Sequence, residues 1–459
     1  MLELQADRGT VLLLGEAEGL DTTTLPGVKW DPRAEAHRAQ GRAYRGIVEH
    51  LTRNKIPYTD NARGWENKPL GWKLHTDRVP FPHQAEAVQA WWKAGGRGVV
   101  VLPTGTGKSF VASLAIEKAN RPTLVVVPTI VLMNQWYADL ATMFQMEIGL
   151  LGGGYYDFQP LTVTTYDSAY IHLERWSHRF GFIVFDEAHH LPGSTFQEAA
   201  IGSLAPYRLG LTATPDRTDG GEALLPELVG PIIYRREIQE LSGDYLAEYR
   251  TIREYVDLTP EEEEEYRNNR EFYRRWAAEK GISFGAQNGW QRFIFESSRS
   301  ADGQEAMRAY REQKRIERQA SGKFGMLETI LNRHAGERTI IFTADNATVY
   351  DIARRFLVPA ITNQTKAKER KTILEKFHSG EFSVLVACQV LNEGVDVPAA
   401  SVGVVLSGSG SVKENVQRLG RILRKYKDKQ ATLYEIIAKG TAEEFTSDRR
   451  RQHGAFQSG

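Results

Sequence analysis

Lys108 and Ser109 close the run VVVLPTGTGKSF, Val99–Phe110, which passes from an apolar β-branched stretch through glycines into the helical pattern FVASLAIEKAN. These residue types suit an anion. Glycines let backbone N–H groups converge on a phosphate, a helix N-terminus adds its dipole, a lysine reaches the outer phosphates and a hydroxyl can ligate magnesium. The strict P-loop pattern asks for glycine six residues before its lysine, where this chain has Leu102. What remains, Thr104, Gly105, Thr106, Gly107, Lys108 and Ser109, keeps every part that phosphate binding requires. The stretch FIVFDEAHH then ends an apolar run with two adjacent carboxylates. Asp186 suits holding magnesium with Ser109, and Glu187 suits orienting the attacking water, because hydrolysis needs both a metal clamp and a placed nucleophile. His189 and His190 have no partners for a zinc site; His189 reads instead as a coupling residue toward Thr212, Ala213 and Thr214.

A third set lies in ENVQRLGRILRK, where Gln417, Arg421 and Arg424 share one helical face and Gly420 leaves room for close approach. Arginines offered across an interdomain cleft to a departing γ-phosphate act as arginine fingers. The nearby LNEGVDVP supplies Gly394 and Asp396, a loop able to approach ribose and phosphates.

The elements that must position these residues come in two sets. From about residue 96 to 214, apolar segments (RGVVVLP, TLVVVP, LTVTT, FGFIVFDE, YRLGLTAT) alternate with helical patterns, the rhythm of a parallel α/β sheet covered on both faces. It restarts near Arg338 with RTIIFTAD, VPAITN, FSVLVACQ, ASVGVVLSG and QATLYEII. Between them, about 258–320, charge-dense helical patterns with aromatics form an inserted element. Residues 1–78 read as a separate small α+β unit, with MLELQADRGTVLLLG a hairpin and GRAYRGIVEHLTRNK an amphipathic helix. Trp30, Tyr44, Trp65 and Trp72 lie near Arg33, Arg38, Arg42, Arg45 and Lys73, a mixture that suits base stacking, although so small a unit needs most of its aromatics for its core. GLLGGGYYD reads as a glycine-rich turn with two packed tyrosines.

Composition bounds the class. The chain has 459 residues, 58 basic against 58 acidic, 41% apolar content and one cysteine, Cys388, so neither a disulfide framework nor a cysteine zinc site forms within it. Neutral total charge leaves a polyanionic partner open, since a basic groove can be offset by acidic surface such as PEEEEE. No apolar run reaches the roughly 18–20 residues of a membrane span, and the N-terminus lacks a signal-peptide pattern. A cytoplasmic protein is expected.

Taken in order, LPTGTGKS, VVPTIVL, VTTYDSA, DEAHH, GLTATP, IIFTADN, VLNEGVDVP and QRLGRILR resemble the motif set of superfamily 2 helicases, and Pro82-His83-Gln84 resembles the upstream glutamine motif, with Gln84 the adenine reader. KWDPRAEAHRAQGRAYRGIVEHL, IPYTDNA and LSGSGSVKENVQRLGRILR resemble the XPB group of DNA repair translocases in its short prokaryotic form. The resemblance implies two RecA-like motor domains (79–240 and 241–459), a damage-recognition-like domain (1–78) and a helical thumb (about 258–320). It implies ATP with magnesium, a DNA partner contacted by Thr129, Thr165, Arg217 and Asp219, 3′-to-5′ polarity and a nuclease partner. One position departs: the group carries Arg-Glu-Asp after Thr-Ala-Thr, whereas this chain has Arg217-Thr218-Asp219. The expected function is therefore an ATP-dependent DNA translocase or helicase. An ATP-gated DNA-binding switch, favoured by Thr218, and an RNA helicase are the alternatives.

Overall fold

The computed structural model describes residues 1–18, 20–216, 219–286, 288–388, 400–408, 411–422 and 430–451. They divide into two compact units, Met1–Glu237 and Ile238–Gly459.

The first unit opens with a five-stranded sheet in the order Lys29–Asp31, Ala36–Gln40, Thr10–Leu14, Leu2–Asp7 and Tyr58–Asn61. Alternation sends Leu2 and Leu4 inward, and the helix Tyr44–Arg53 answers with Tyr44, Ile47 and Leu51 at helical spacing. Leu204, from the neighbouring α/β layer, joins the same core. The docking is close: a Cβ at Gly41 would overlap the Gly202 carbonyl. Arg45 donates to the carbonyls of Gly95 (2.7 Å) and Pro206 (3.1 Å), and the Gly64 N–H to that of His178 (2.7 Å).

The α/β layer is an eight-stranded sheet in the order Ile232–Arg235, Arg97–Val101, Tyr207–Thr212, Phe182–Asp186, Thr123–Val127, Leu161–Thr165, Gly149–Gly152 and Tyr155–Tyr156. All pairings are parallel except the last hairpin. Leu161–Thr165, Thr123–Val127 and Phe182–Asp186 are buried at every position, which explains their unbroken apolar and threonine runs: helices cover both faces. The two tyrosines of GLLGGGYYD are not packed inside. Their strand lies on the sheet edge, where both rings are half-exposed and Tyr156 accepts a 2.6 Å bond from Arg175.

The second unit holds a six-stranded, wholly parallel sheet in the order Glu248–Val256, Gln430–Ala438, Val402–Val405, Thr339–Phe342, Val384–Ala387 and Ala360–Ile361. Cys388 is buried in its core. Helices Pro260–Glu279, Gly289–Ser297 and Ala301–Gln319 pack around their own apolar cluster, which includes Tyr273, Trp276 and Phe293. PEEEEE opens the first of these helices, with Glu261, Glu262 and Glu263 in its first turn at the positive end of the dipole and Glu262 bonding back to the Thr259 N–H (3.0 Å).

Candidate active site

Parallel pairing sets three chemistry-bearing strand ends side by side. Thr212 is in register with Val101, the last residue before the glycine loop, and Asp186 with Leu211. The loop carries Gly105 at φ +90° and Gly107 at φ +80°, backbone that only glycine adopts without strain, and Gly107 caps the helix Lys108–Ala119. Thr106 closes the loop through a bond from its hydroxyl to the Pro103 carbonyl (2.8 Å), and the Leu102 N–H ties it to Thr212 (3.0 Å). Thr104 and Ser109 are half-buried on it. The Lys108 ammonium folds back on the carbonyls of Leu102 and Pro103 at 3.3 and 3.4 Å. Those are weak neutral acceptors, which an anionic phosphate outcompetes.

Gln84 lies against this loop. Its side-chain amide donates to the Thr106 carbonyl (2.8 Å) and accepts from the Phe81 N–H (3.0 Å), one bond at each end of a group with two donors and two lone pairs. His83 approaches the same carbonyl at 3.1 Å.

Asp186 is buried, and burial together with the adjacent Glu187 charge raises its pKa above the ordinary carboxylate range, against the pull of Lys108 and a bond from Trp136. That bond is 2.8 Å, from the indole N–H to Oδ2; the Glu187 N–H reaches Oδ1 at 3.0 Å, and the Tyr166 hydroxyl donates to the Asp186 carbonyl at 3.0 Å. Trp136 and Tyr166 are positioning residues that no spacing in the sequence announces, standing 50 and 20 positions from their partner. Glu187 occupies the left-handed region at φ +48°, a conformation held by its surroundings. Its carboxylate comes within 3.4 Å of His189 Nδ1, which lies 3.0 Å from Thr212 Oγ1; that oxygen accepts from the Thr214 N–H at 3.2 Å. The structure thus brings Lys108, Asp186, Glu187, His189, Thr212 and Thr214 into one neighbourhood.

Sequence comparison decides the family. Over 443 residues the chain is 39% identical to the DNA 3'-5' translocase XPB2 of Sulfurisphaera tokodaii, covering 94% of this chain and 98% of that one. The chain belongs to the XPB family. Residues 4–62 match the Xeroderma pigmentosum group B helicase damage recognition domain, 78–217 the type III restriction enzyme res subunit and 322–426 the helicase conserved C-terminal domain. The DNA 3'-5' helicase XPB of Mycobacterium tuberculosis is 30% identical over 83% of this chain and 64% of its own length. The crystal structure of the Pyrococcus furiosus Hef helicase domain overlays 81% of this chain with a TM-score of 0.54 at 21% identity, a likeness of fold.

Thr129 and Thr165 cap the helices Ile130–Phe144 and Tyr166–Ile171, accepting from Leu132 (3.3 Å) and Ser168 (3.2 Å). Asp219 is exposed and accepts from the Gly221 N–H at 3.0 Å. Gln417 and Arg421 lie on the helix Val412–Ile422; their side chains, like Arg217, Thr218, Gly394, Asp396 and Arg424 as a whole, lie outside the described residues. Their neighbour Arg418 is buried, paired with Glu414 at 3.3 Å and set over the Phe342 ring at 5.6 Å. Among the described residues, no group of three or more His, Cys, Asp or Glu side chains offers a metal site, and no helix is long and apolar enough to cross a membrane.

Proposed function

We infer that this XPB-family protein is an ATP-dependent DNA translocase and helicase that works in DNA repair with 3′-to-5′ polarity. The observation that carries the reading is the alignment of the Lys108 cradle with the Asp186–Glu187 pair and the His189–Thr212–Thr214 chain. A nucleotide is held by the loop amides and Lys108, with Gln84 at its base end. Glu187 orients the attacking water and takes up its proton, and His189 and Thr212 carry the change in Glu187 toward the Thr214 loop. Ser109 and Asp186 are oxygen donors of the kind magnesium prefers, and each Asp186 oxygen accepts one N–H and keeps a further lone pair. Magnesium held there would neutralise charge on the outer phosphates. Arg421 and Arg424 are assigned to the same hydrolysis as arginine fingers.

The same proposal treats 1–78 as a damage-recognition-like domain, 79–240 and 241–459 as motor domains, and about 258–320 as a thumb. It places Thr129, Thr165, Arg217 and Asp219 along the DNA and includes a nuclease partner that cuts the opened fork. ATPase rates with single-stranded DNA, duplex, forked DNA and RNA, run beside fork unwinding, test it. Stimulation by DNA together with unwinding supports the helicase. Stimulation without unwinding favours the switch suggested by Thr218, and stimulation by RNA alone overturns both.

A further inference from the structure

Glu435 is a carboxylate set in a core strand. It lies on Gln430–Ala438 and is 2% exposed, while Tyr434, Ile436 and Ala438 of the same strand belong to the apolar core of the second unit. Alternation turns Glu435 to the other face of the sheet, where the helices Val412–Ile422 and Glu443–Arg450 meet it. Each of its oxygens takes one helix. Asn415 Nδ2 donates to Oε1 at 3.3 Å, and the Ser447 hydroxyl donates to Oε2. One side chain thereby ties a strand and two helices together.

Further buried groups hold the helix Val412–Ile422 in place. Arg418, one turn beyond Asn415, packs tightly on the chain that leaves the strand Val402–Val405: a Cβ at Gly408 would come within 2.5 Å of its Nη1. Arg450, from the helix Glu443–Arg450, donates to the Gly408 carbonyl at 2.6 Å. At the far end, a Cβ at Gly403 would overlap Leu433 at 2.8 Å and press on Ile422 at 3.4 Å. Burial lowers the pKa of Arg418, and the Glu414 and Glu435 charges oppose the fall. Buried charges are costly unless they are hydrogen-bonded and paired. A slip of one residue, about 1.5 Å along the helix axis, would therefore strand Asn415, Arg418 and Glu435 at once. A wholly apolar seam, with no bonds to lose, would resist the same slip less.

We propose that Glu435 is a positioning residue for ATP hydrolysis: through Asn415 and Ser447 it fixes the helix Val412–Ile422, and with it Gln417 and Arg421, in a single register on the sheet. A helix shifts as a rod, so an error at Asn415 is passed whole to Arg421, less than two turns further on. A misplacement of about 1 Å costs about 10²-fold in rate at a group that must meet the transition state. Glu435 acts only through the helix. The inference rests on the assignment of Arg421 to hydrolysis.

The full-length protein is assayed as wild type, Glu435→Gln, Glu435→Leu, Ser447→Ala and Arg421→Ala. Single-turnover hydrolysis is measured beside ATP affinity, melting, and affinity for ADP with aluminium fluoride, which mimics the transition state. Glu435→Leu should slow hydrolysis about 10²-fold and weaken the aluminium fluoride complex in step, with ATP affinity held within about threefold. Glu435→Gln should restore most of the rate, because its amide accepts from Asn415 and donates to the Ser447 hydroxyl. Ser447→Ala should fall between the two, and it carries the test where Glu435→Leu does not fold. A rate within about twofold of wild type in the variant that carries the test, or an ATP affinity that falls as far as the rate, overturns the positioning role. A Glu435→Gln as slow as Glu435→Leu overturns it as well. Arg421→Ala should lose about 10³-fold or more. A normal rate there overturns the finger assignment itself, whereas a slow Arg421→Ala beside a normal Glu435→Leu overturns Glu435 alone.

Discussion

The Glu187 carboxylate stands 3.4 Å from His189 Nδ1, and Thr212 Oγ1 stands 3.0 Å from that same nitrogen. One imidazole therefore touches both the residue assigned to the attacking water and the loop that leaves the Tyr207–Thr212 strand. His189→Ala should leave hydrolysis without DNA within about threefold and lower the stimulation by DNA about 5- to 150-fold, the usual span of a coupling energy. Equal losses with and without DNA would make His189 part of the hydrolytic step instead.

Lys108→Ala and Glu187→Gln should both stop turnover by different routes. Removing the ammonium takes away a phosphate contact, so nucleotide affinity should fall with the rate. Glu187→Gln keeps size and shape but not the base, so the rate should drop by about 10² to 10⁴ while bound ATP persists. Nucleotide binding by fluorescence beside single-turnover hydrolysis separates the two. Normal turnover in either variant sinks the assignment.

What could be read in advance was local. Lys108, Asp186 and Glu187 announce themselves because strand, glycine loop and helix follow one another within a few residues. Trp136 does not, since it lies on the helix Ile130–Phe144 and meets Asp186 only once that helix packs against the sheet. The strand Glu248–Val256 is similarly hidden: EYRTIREYV mixes charge through every turn, and only its nine-residue register with Gln430–Ala438 makes it a strand. Among the N-terminal aromatics, composition shows that most must be core, but burial alone singles out Trp30 as the exposed one.

Trp136→Phe removes the indole N–H from a buried carboxylate while keeping an aromatic ring in place. A hydrogen bond to a charged group is worth about 1.5–3 kcal/mol, so ionised Asp186 should become harder to maintain. The magnesium concentration for half-maximal ATPase should rise about tenfold, and the melting temperature should fall with the lost bond and buried ring volume. An unchanged magnesium dependence would show that the indole bond does not poise Asp186.

Gly41→Ala tests the docking of the N-terminal sheet, because the added methyl would overlap the Gly202 carbonyl, which is backbone and cannot step aside as a side chain can. A loss of about 1–3 kcal/mol is expected from such overpacking. The residue 1–78 segment should also be cleaved sooner in limited proteolysis, while ATPase without DNA persists. Unchanged melting and proteolysis would mean that the interface relaxes freely.

Lys323 makes the sharpest stability test, because its ammonium is fully buried between Glu443 (2.6 Å) and the Leu406 carbonyl (2.8 Å). Glu443 also accepts from the Ala438 N–H at 3.1 Å, so it is anchored and cannot swing out to water when its partner is removed. Lys323→Met strands that carboxylate and should destabilise the second unit by about 3–5 kcal/mol. Lys323→Met with Glu443→Leu removes both charges and should recover much of the loss, because the Coulombic gain of a buried pair is largely offset by its desolvation. Urea unfolding of both variants, followed by a probe in the second unit, decides the matter: a double variant no more stable than Lys323→Met would mean that the pair contributes through its hydrogen bonds to Leu406 and Ala438 rather than as compensating charges.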